Sequence, residues 1–195
     1  MECKGVYIIA ISILLWACKE DKCKGKEYYP VDPRVIEAIP YVDKQLVAFR
    51  TNRGDNFYAG VKRVFGIDNS QFMCDEGLTV TLNTGDMRPY MEFVHLGTSD
   101  APFIQILISP DRNNVAQAVQ ILLTEDGKMA EYLPNPYKKP VYYNTISIAG
   151  KSYADVVEIA LIKPYPKSIV QLFYNKAFGV IQFTTEDGLV VTREG

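Results

Sequence analysis

The stretch Tyr142-Tyr143-Asn144-Thr145-Ile146-Ser147-Ile148, followed by Ala149-Gly150-Lys151-Ser152 and residues 153–162, decides the fold class. Two runs that are rich in β-branched and aromatic residues flank a short turn that contains glycine. This arrangement is typical of a β-hairpin, because the extended runs suit strands and the glycine suits the turn. The pattern returns at residues 169–174 and 180–184, on either side of Asn175-Lys176-Ala177-Phe178-Gly179.

Similar strand and turn signals alternate upstream, at intervals of about ten residues. One short helix is predicted first, over residues 32–39, since Asp32 suits the N-cap and Pro33 suits the first helical position. Residues 115–123 fit a helix or a strand, and we favour the strand. The sequence thus predicts a mainly β fold, with antiparallel sheets as a sandwich or an open barrel and at most one or two short helices. The remaining predicted strands are 45–51, 57–67, 78–82, 90–96, 103–109 and 189–192.

Composition excludes several classes of function. The chain has 195 residues and a formal net charge of −2, with 48% hydrophobic and 23% charged residues. A near-neutral charge balance provides no excess of basic residues for binding nucleic acid, so we expect no nucleic-acid partner. One histidine and scattered cysteines do not have the spacing of a zinc site, and there is no glycine-rich phosphate loop. We therefore expect neither a metal nor a cofactor.

The N-terminal segment is typical of a targeting signal rather than of part of the folded domain. An apolar run from Val6 to Trp16 precedes Ala17-Cys18 and a charged stretch. About eleven apolar residues suit a secretory signal, whereas a spanning helix needs about twenty. The charged stretch has no apolar periodicity, which is typical of a disordered linker. We therefore predict a signal peptide over residues 1–17, a flexible acylated tether over 18–30 and a single β-rich domain over 31–195.

The residues around the predicted cleavage site resemble a known motif. Leu15-Trp16-Ala17-Cys18 resembles a bacterial lipobox, with Trp16 where that motif prefers a small or β-branched residue. The resemblance implies that a peptidase cuts between Ala17 and Cys18, and that Cys18 carries the fatty-acid chains, such as palmitate. Lys19-Glu20-Asp21 is similar to the export signal of surface lipoproteins in the Bacteroidota. The hairpin region over residues 146–188 also resembles the C-terminal half of small lipoproteins of that group, which implies a β-rich surface domain with no known catalytic residues.

Two further cysteines have no role in that motif. Cys3 lies in the predicted signal, which leaves Cys23 in the tether and Cys74 in the domain. Outside the cytoplasm these two can form a disulfide that closes a loop of about fifty residues. The alternative is two separate thiols, which we favour.

Residues with catalytic potential do not form a recognisable set. His95 is the single histidine, and no Gly-x-Ser-x-Gly elbow accompanies it. A glycosidase needs two carboxylates at a fixed separation, but nearly all carboxylates here fall in predicted turns, where Asp and Glu are expected for structural reasons. Arg53-Gly54-Asp55 spells the tripeptide that integrins bind, but it lies where a hairpin needs a glycine turn. No catalytic residue is assigned.

These observations predict a lipid-anchored outer-membrane protein that faces the cell exterior. We expect the membrane to hold it through Cys18, and we expect its domain to bind or brace a partner protein or a glycan without enzymatic activity. Two alternatives stay open. One is a surface hydrolase that uses a carboxylate pair, and the other is a periplasm-facing carrier or assembly factor.

Overall fold

The computed structural model describes the chain in eight ranges. They are residues 23–69, 73–83, 90–95, 103–109, 117–123, 129–131, 140–160 and 169–195. Within these ranges the chain forms thirteen strands and one short helix, which confirms the mainly β fold class. The predicted signal peptide, the predicted cleavage site and Cys18 lie outside the described residues.

The strands are numbered in chain order. The helix α1 (Pro33–Ala38) lies between the first two strands, and the described part of the chain has no helix long and apolar enough to cross a membrane. The strands are β1 (Glu27–Tyr29), β2 (Leu46–Thr51), β3 (Asn56–Asn69), β4 (Met73–Asn83), β5 (Tyr90–His95), β6 (Phe103–Ser109), β7 (Gln117–Leu123), β8 (Met129–Glu131), β9 (Val141–Ile148), β10 (Lys151–Ala160), β11 (Ile169–Asn175), β12 (Gly179–Thr185) and β13 (Val190–Arg193).

These strands hydrogen-bond in one continuous sheet, in the order β8-β7-β6-β5-β4-β3-β2-β13-β12-β11-β10-β9. The last strand of the chain, β13, therefore lies between β2 and β12. Val191 in β13 is opposite Thr51 on one side and Phe183 on the other. The C-terminal strand thus joins the two halves of the sheet.

Both predicted C-terminal hairpins are present. Ala149 and Gly150 connect β9 to β10 with φ angles of 50° and 79°, which is the geometry of a type I′ hairpin turn. In β10, Asp155 also has a positive φ, of 51°. This backbone angle interrupts the alternation of side chains between the two faces of β10. Tyr153 and Val156, three residues apart, therefore share one hydrophobic cluster, whereas Val157 belongs to another.

The parallel strand β1 was not predicted. It pairs with residues 73–75 of β4, beyond the stretch Leu78–Leu82 that pairs with β5. Within the segment predicted as a tether over residues 18–30, the structure describes residues 23–30 and places β1 there. Residues 18–22 lie outside the described residues.

The sheet curves around the segment that contains α1. This helix contacts β6, and the hydroxyl of Tyr174 in β11 donates to the carbonyl of Ala38 at 2.5 Å. In the sheet order β6 and β11 are seven strand spacings apart, about 33 Å in a flat sheet. A helix of six residues is only about 9 Å long, so the sheet must bend to reach both of its sides. A single curved sheet corresponds to the open barrel among the predicted architectures.

The main core lies on the concave side of this sheet, which we call the inner face. Val35, Ala38 and Tyr41 pack there against residues of β2, β4, β6 and the C-terminal strands. The opposite side is called the outer face.

Candidate functional site

Two buried tyrosines attach the α1 segment to the sheet. The Tyr41 hydroxyl accepts a hydrogen bond from the backbone N–H of Val180 at 2.6 Å, and Tyr174 donates to Ala38 as described above. Both side chains are fully buried. Burial raises the pKa of both phenols well above the ordinary value of 10.0. Both groups therefore stay protonated and act as neutral hydrogen-bonding groups.

A glycine makes room for one of these rings. Gly179 begins β12 with a φ of +74°, and a Cβ atom at this position would overlap the Tyr41 phenol. Only glycine meets both conditions, since other residues rarely adopt this φ and all of them carry a Cβ. The turn before β12 therefore approaches Tyr41 more closely than any other residue type would allow.

Beside Tyr41 lies the partly buried guanidinium of Arg193. Arg193 is opposite Phe49 in the sheet, and its Nε and Nη1 atoms are buried with no hydrogen-bond partner in the described part of the chain. Its positive charge opposes, in part, the effect of burial on the Tyr41 pKa. A buried N–H group without a partner costs about 1–3 kcal/mol, so an acceptor that reached this position would be favoured.

A partly exposed aromatic ring lies next to this guanidinium at the protein surface. The Arg193 guanidinium carbon lies 5.8 Å from the ring centroid of Phe178, whose side chain is 38% exposed. Phe178 also meets Tyr153 edge-on, with the ring centroids 5.6 Å apart. We call the set of Arg193, Phe178, Tyr153 and Tyr41 the Arg193 corner.

The turn that carries Phe178 is fixed by its own side chains. Asn175 accepts from the backbone N–H of Phe178 at 2.8 Å and donates to the carbonyl of Ala154 at 3.1 Å. The Arg193 corner therefore combines a pre-positioned aromatic ring with a cation whose Nε and Nη1 atoms have no hydrogen-bond partner among the described residues. Carboxylate and phosphate oxygens are the acceptors that suit a guanidinium best. The corner is chemically suited to bind an anionic group next to an apolar or planar one.

Two of the cysteines come together. Cys23 and Cys74 form a disulfide with their Cα atoms 5.6 Å apart, whereas sequence reasoning favoured separate thiols. The parallel pairing of β1 explains the proximity, because it places Tyr28 opposite Cys74. The backbone N–H of Lys26 donates to the carbonyl of Cys23 at 3.0 Å, which turns the chain back toward that strand.

The integrin-like tripeptide has a structural role. The Thr51 hydroxyl accepts from the backbone N–H groups of Arg53 and Asp55, at 3.2 and 3.1 Å. Arg53 also lies 3.9 Å from Asp187, in the turn that leads to β13. Gly54 has a φ of +93°, as the predicted turn requires. Arg53-Gly54-Asp55 thus forms a turn that packs beside another turn.

Two carboxylates, Glu158 and Glu76, are engaged in hydrogen bonds within the fold. The Glu158 carboxylate accepts hydrogen bonds from Tyr143 and from Gln171, both at 2.6 Å. The hydrogen bond between Tyr143 and Glu158 raises the pKa of the Tyr143 phenol. The buried Glu76 accepts from Tyr28 at 3.2 Å and from the backbone N–H of Val31 at 3.4 Å. Over the ranges that the structure describes, no three His, Cys, Asp or Glu residues are grouped so that they could hold a metal ion.

Of the remaining predicted positions, the structure describes only His95. His95 ends β5 opposite Leu78, and Ala17 and Cys18 lie outside the described residues. The Arg193 corner was missed by sequence reasoning, because its members are far apart in the chain. The one available signal was Gly179 at the end of the predicted turn 175–179. Comparisons with protein families, with curated proteins and with solved structures found no match to this chain.

Proposed function

We propose that this chain is a lipid-anchored outer-membrane surface protein, acylated on Cys18, whose β-sheet domain binds a partner without catalysing a reaction. The observation that carries the proposal is the lipobox-like run Leu15–Cys18, which ends five residues before Cys23. Cys23 is the first residue of the described fold. The proposed anchor and the folded domain are therefore almost contiguous.

The short connection determines how the domain would be held. Five residues span at most about 18 Å, and the disulfide to Cys74 fixes the end of this connection to β4. Each buried methylene of an acyl chain contributes about 0.8 kcal/mol, and two chains give stable anchoring. The domain would thus stay within a few tens of ångströms of the bilayer surface and would not dissociate from it.

The Arg193 corner supports the binding part of the proposal. Its buried Nε and Nη1 atoms have no hydrogen-bond partner among the residues that the structure describes, and Phe178 beside them is partly exposed. The positive charge of Arg193 would attract an anionic group on a partner protein or a glycan, such as a carboxylate, while the neighbouring atoms of that group contact the exposed part of the Phe178 ring.

The decisive experiment is mass spectrometry of the protein purified from its native envelope, combined with protease treatment of whole cells. We expect a chain that begins at Cys18 and carries acyl groups, and that external protease removes from intact cells. Because Trp16 is the only tryptophan, this chain should show tyrosine emission alone. An unmodified chain that retains Trp16 would contradict acylation, and a chain that protease cannot reach would favour the periplasm-facing alternative.

A further inference from the structure

The strand β9 forms a long edge of the sheet. Among the described strands it pairs with β10 alone. Ile148 lies opposite Lys151 and Val141 lies opposite Glu158, so one register holds from end to end. Of the eight residues of β9 only Ile148 is buried. The side of β9 that faces away from β10 is about 27 Å long, and no described strand lies along it.

The turn between β9 and β10 shows which backbone groups lie along this edge. Ile148 and Lys151 close a two-residue turn, and the residues that close such a turn exchange both backbone hydrogen bonds. Because bonded and non-bonded positions alternate along an antiparallel pair, the N–H and C=O groups of Ser147 and Thr145 point away from β10. Both residues are exposed, so an added strand can reach these groups.

The sequence of β9 has none of the residues that protect an edge from pairing. Its eight residues include no charged residue, no proline and no glycine, and most of them are β-branched or aromatic. Natural proteins protect edge strands with lysine, with proline or by keeping them short. At the other end of the described sheet, β8 is protected in this way, since it has three residues and ends in Glu131. Uncharged segments of high β-propensity readily add a further strand.

We propose that β9 pairs antiparallel with β9 of a second copy of this chain, so that the two sheets become continuous across a two-fold axis. Charge favours this occupant. Symmetric pairing brings a strand against itself, and a strand with several charges of one sign would then place like charges opposite each other. Since β9 carries no charge, this cost is absent. The inference goes beyond the proposed function and does not require the anchor.

Side-chain packing favours the same occupant. Phe173 and Ile148 belong to a cluster on the outer face, because Phe173 alternates with Leu172 of the main core. Tyr143 and Ile146 pack at the margin of this cluster and are half-buried. A two-fold axis perpendicular to the sheet keeps the outer faces of both copies on one side. The half-buried side chains of the two copies would therefore meet and cover each other.

The symmetry determines which residues would face each other. In an antiparallel pair with a two-fold axis, one residue lies opposite its own copy. The pairing is longest when this residue is Asn144 or Thr145, because residues 141–147 or 142–148 are then paired. Opposed residues have Cα atoms about 4.5–5.5 Å apart, which a disulfide can span. The two copies of Ser147 would be more than about 13 Å apart.

The test is oxidative cross-linking of the full chain in the cells that produce it, with copper phenanthroline as the oxidant. The variants are Asn144→Cys, Thr145→Cys and Ser147→Cys, whose positions are all exposed. Thr79→Cys is the matched control, because β4 has a paired neighbour on both sides of this residue. The unsubstituted chain measures any cross-link through the existing cysteines, and mass spectrometry identifies each product.

We expect Asn144→Cys or Thr145→Cys to give at least about tenfold more dimer of this chain than Ser147→Cys and Thr79→Cys, because of the difference in distance. Equal cross-linking at all four positions would indicate random collision. Absence of dimer at every position would show that two copies do not meet at this edge, and a cross-link only to a chain of different mass would assign the edge to another partner. Each of these three results overturns the self-pairing, and none bears on acylation of Cys18, which is measured separately.

Discussion

The phenol ring of Tyr41 lies against the α-carbon of Gly179, with no room for a side chain between them. The Tyr41 hydroxyl, in the same contact, accepts from the N–H of Val180. This pair connects the segment after α1 to the β11–β12 turn. That turn carries Phe178, so the position of the Arg193 corner depends on the contact between Tyr41 and Gly179.

Replacing Gly179 by alanine should destabilise the protein by about 2–5 kcal/mol. The left-handed backbone costs about 1–2 kcal/mol for a residue with a Cβ, and the overlap with Tyr41 adds about 1–3 kcal/mol. Urea unfolding gives the free energy difference. Gly150→Ala is the control, because Gly150 has a similar φ of +79° but open space around its Cβ position. Equal losses for the two variants would show that the Tyr41 contact is unimportant.

The buried phenols should make stability decrease in alkaline solution. Below the ordinary pKa of 10.0 both states keep these protons. Above it the unfolded chain releases them and the folded protein retains them, because burial raises the folded pKa. The unfolding free energy should then fall by about 1.4 kcal/mol per pH unit for each phenol. Urea unfolding at several alkaline pH values gives the dependence of the unfolding free energy on pH. This free energy should fall less steeply with pH in Tyr41→Phe than in the unsubstituted protein, and equal pH dependence in the two proteins would contradict the prediction.

Removing the disulfide should reduce stability by about 4 kcal/mol, because the bond closes a loop with a sequence separation of 51 residues. The variant is Cys23→Ser with Cys74→Ser, measured by urea unfolding against the oxidised protein. Reduction should increase the mass of the mature chain by two hydrogens. Two thiols that react freely in the native protein would instead favour the separate cysteines expected from the sequence.

Arg193→Met should abolish stabilisation by anions while leaving the fold intact. A guanidinium whose Nε and Nη1 atoms have no partner among the described residues is stabilised by an oxyanion, whereas methionine is uncharged and needs no hydrogen-bond partner. The melting temperature should rise more in acetate or sulfate than in chloride at equal ionic strength, and this difference should vanish in Arg193→Met. Arg53→Met is the control, since Arg53 forms an exposed ion pair with Asp187. If Arg193→Met keeps the full anion response, the corner is not the binding site.

The local elements were predictable because their signals are local. Asp32 caps α1 by accepting from the N–H of Arg34 at 2.8 Å, as its position before Pro33 indicated. The hairpin turn at Ala149-Gly150 followed from the glycine between two strand-like runs, whereas the positive φ of 50° at Ala149 was not indicated by its residue type. The strand assignment favoured for residues 115–123 is also confirmed, since β7 occupies Gln117–Leu123.

The features that depend on distant pairing were not predictable. Three residues of β1 give too short a pattern to read, and their parallel partner is β4, more than forty residues away. β13 lies between β2 and β12, so it pairs with a strand that is far from it in the chain, and no local sequence signal determines such a pairing. The role of Arg193 was not visible in the sequence, because it depends on the pairing of β13 with β12, which brings Arg193 beside the turn that carries Phe178.

Attachment through Cys18 is tested most directly by metabolic labelling with radioactive palmitate, followed by separation of envelope and soluble fractions. The native chain and the control Cys3→Ser should both incorporate the label and sediment with the outer membrane. Cys18→Ser should remain unlabelled and keep its N-terminal segment. A Cys18→Ser chain that is still labelled, cut at the same bond and recovered with the outer membrane would contradict the proposed anchor.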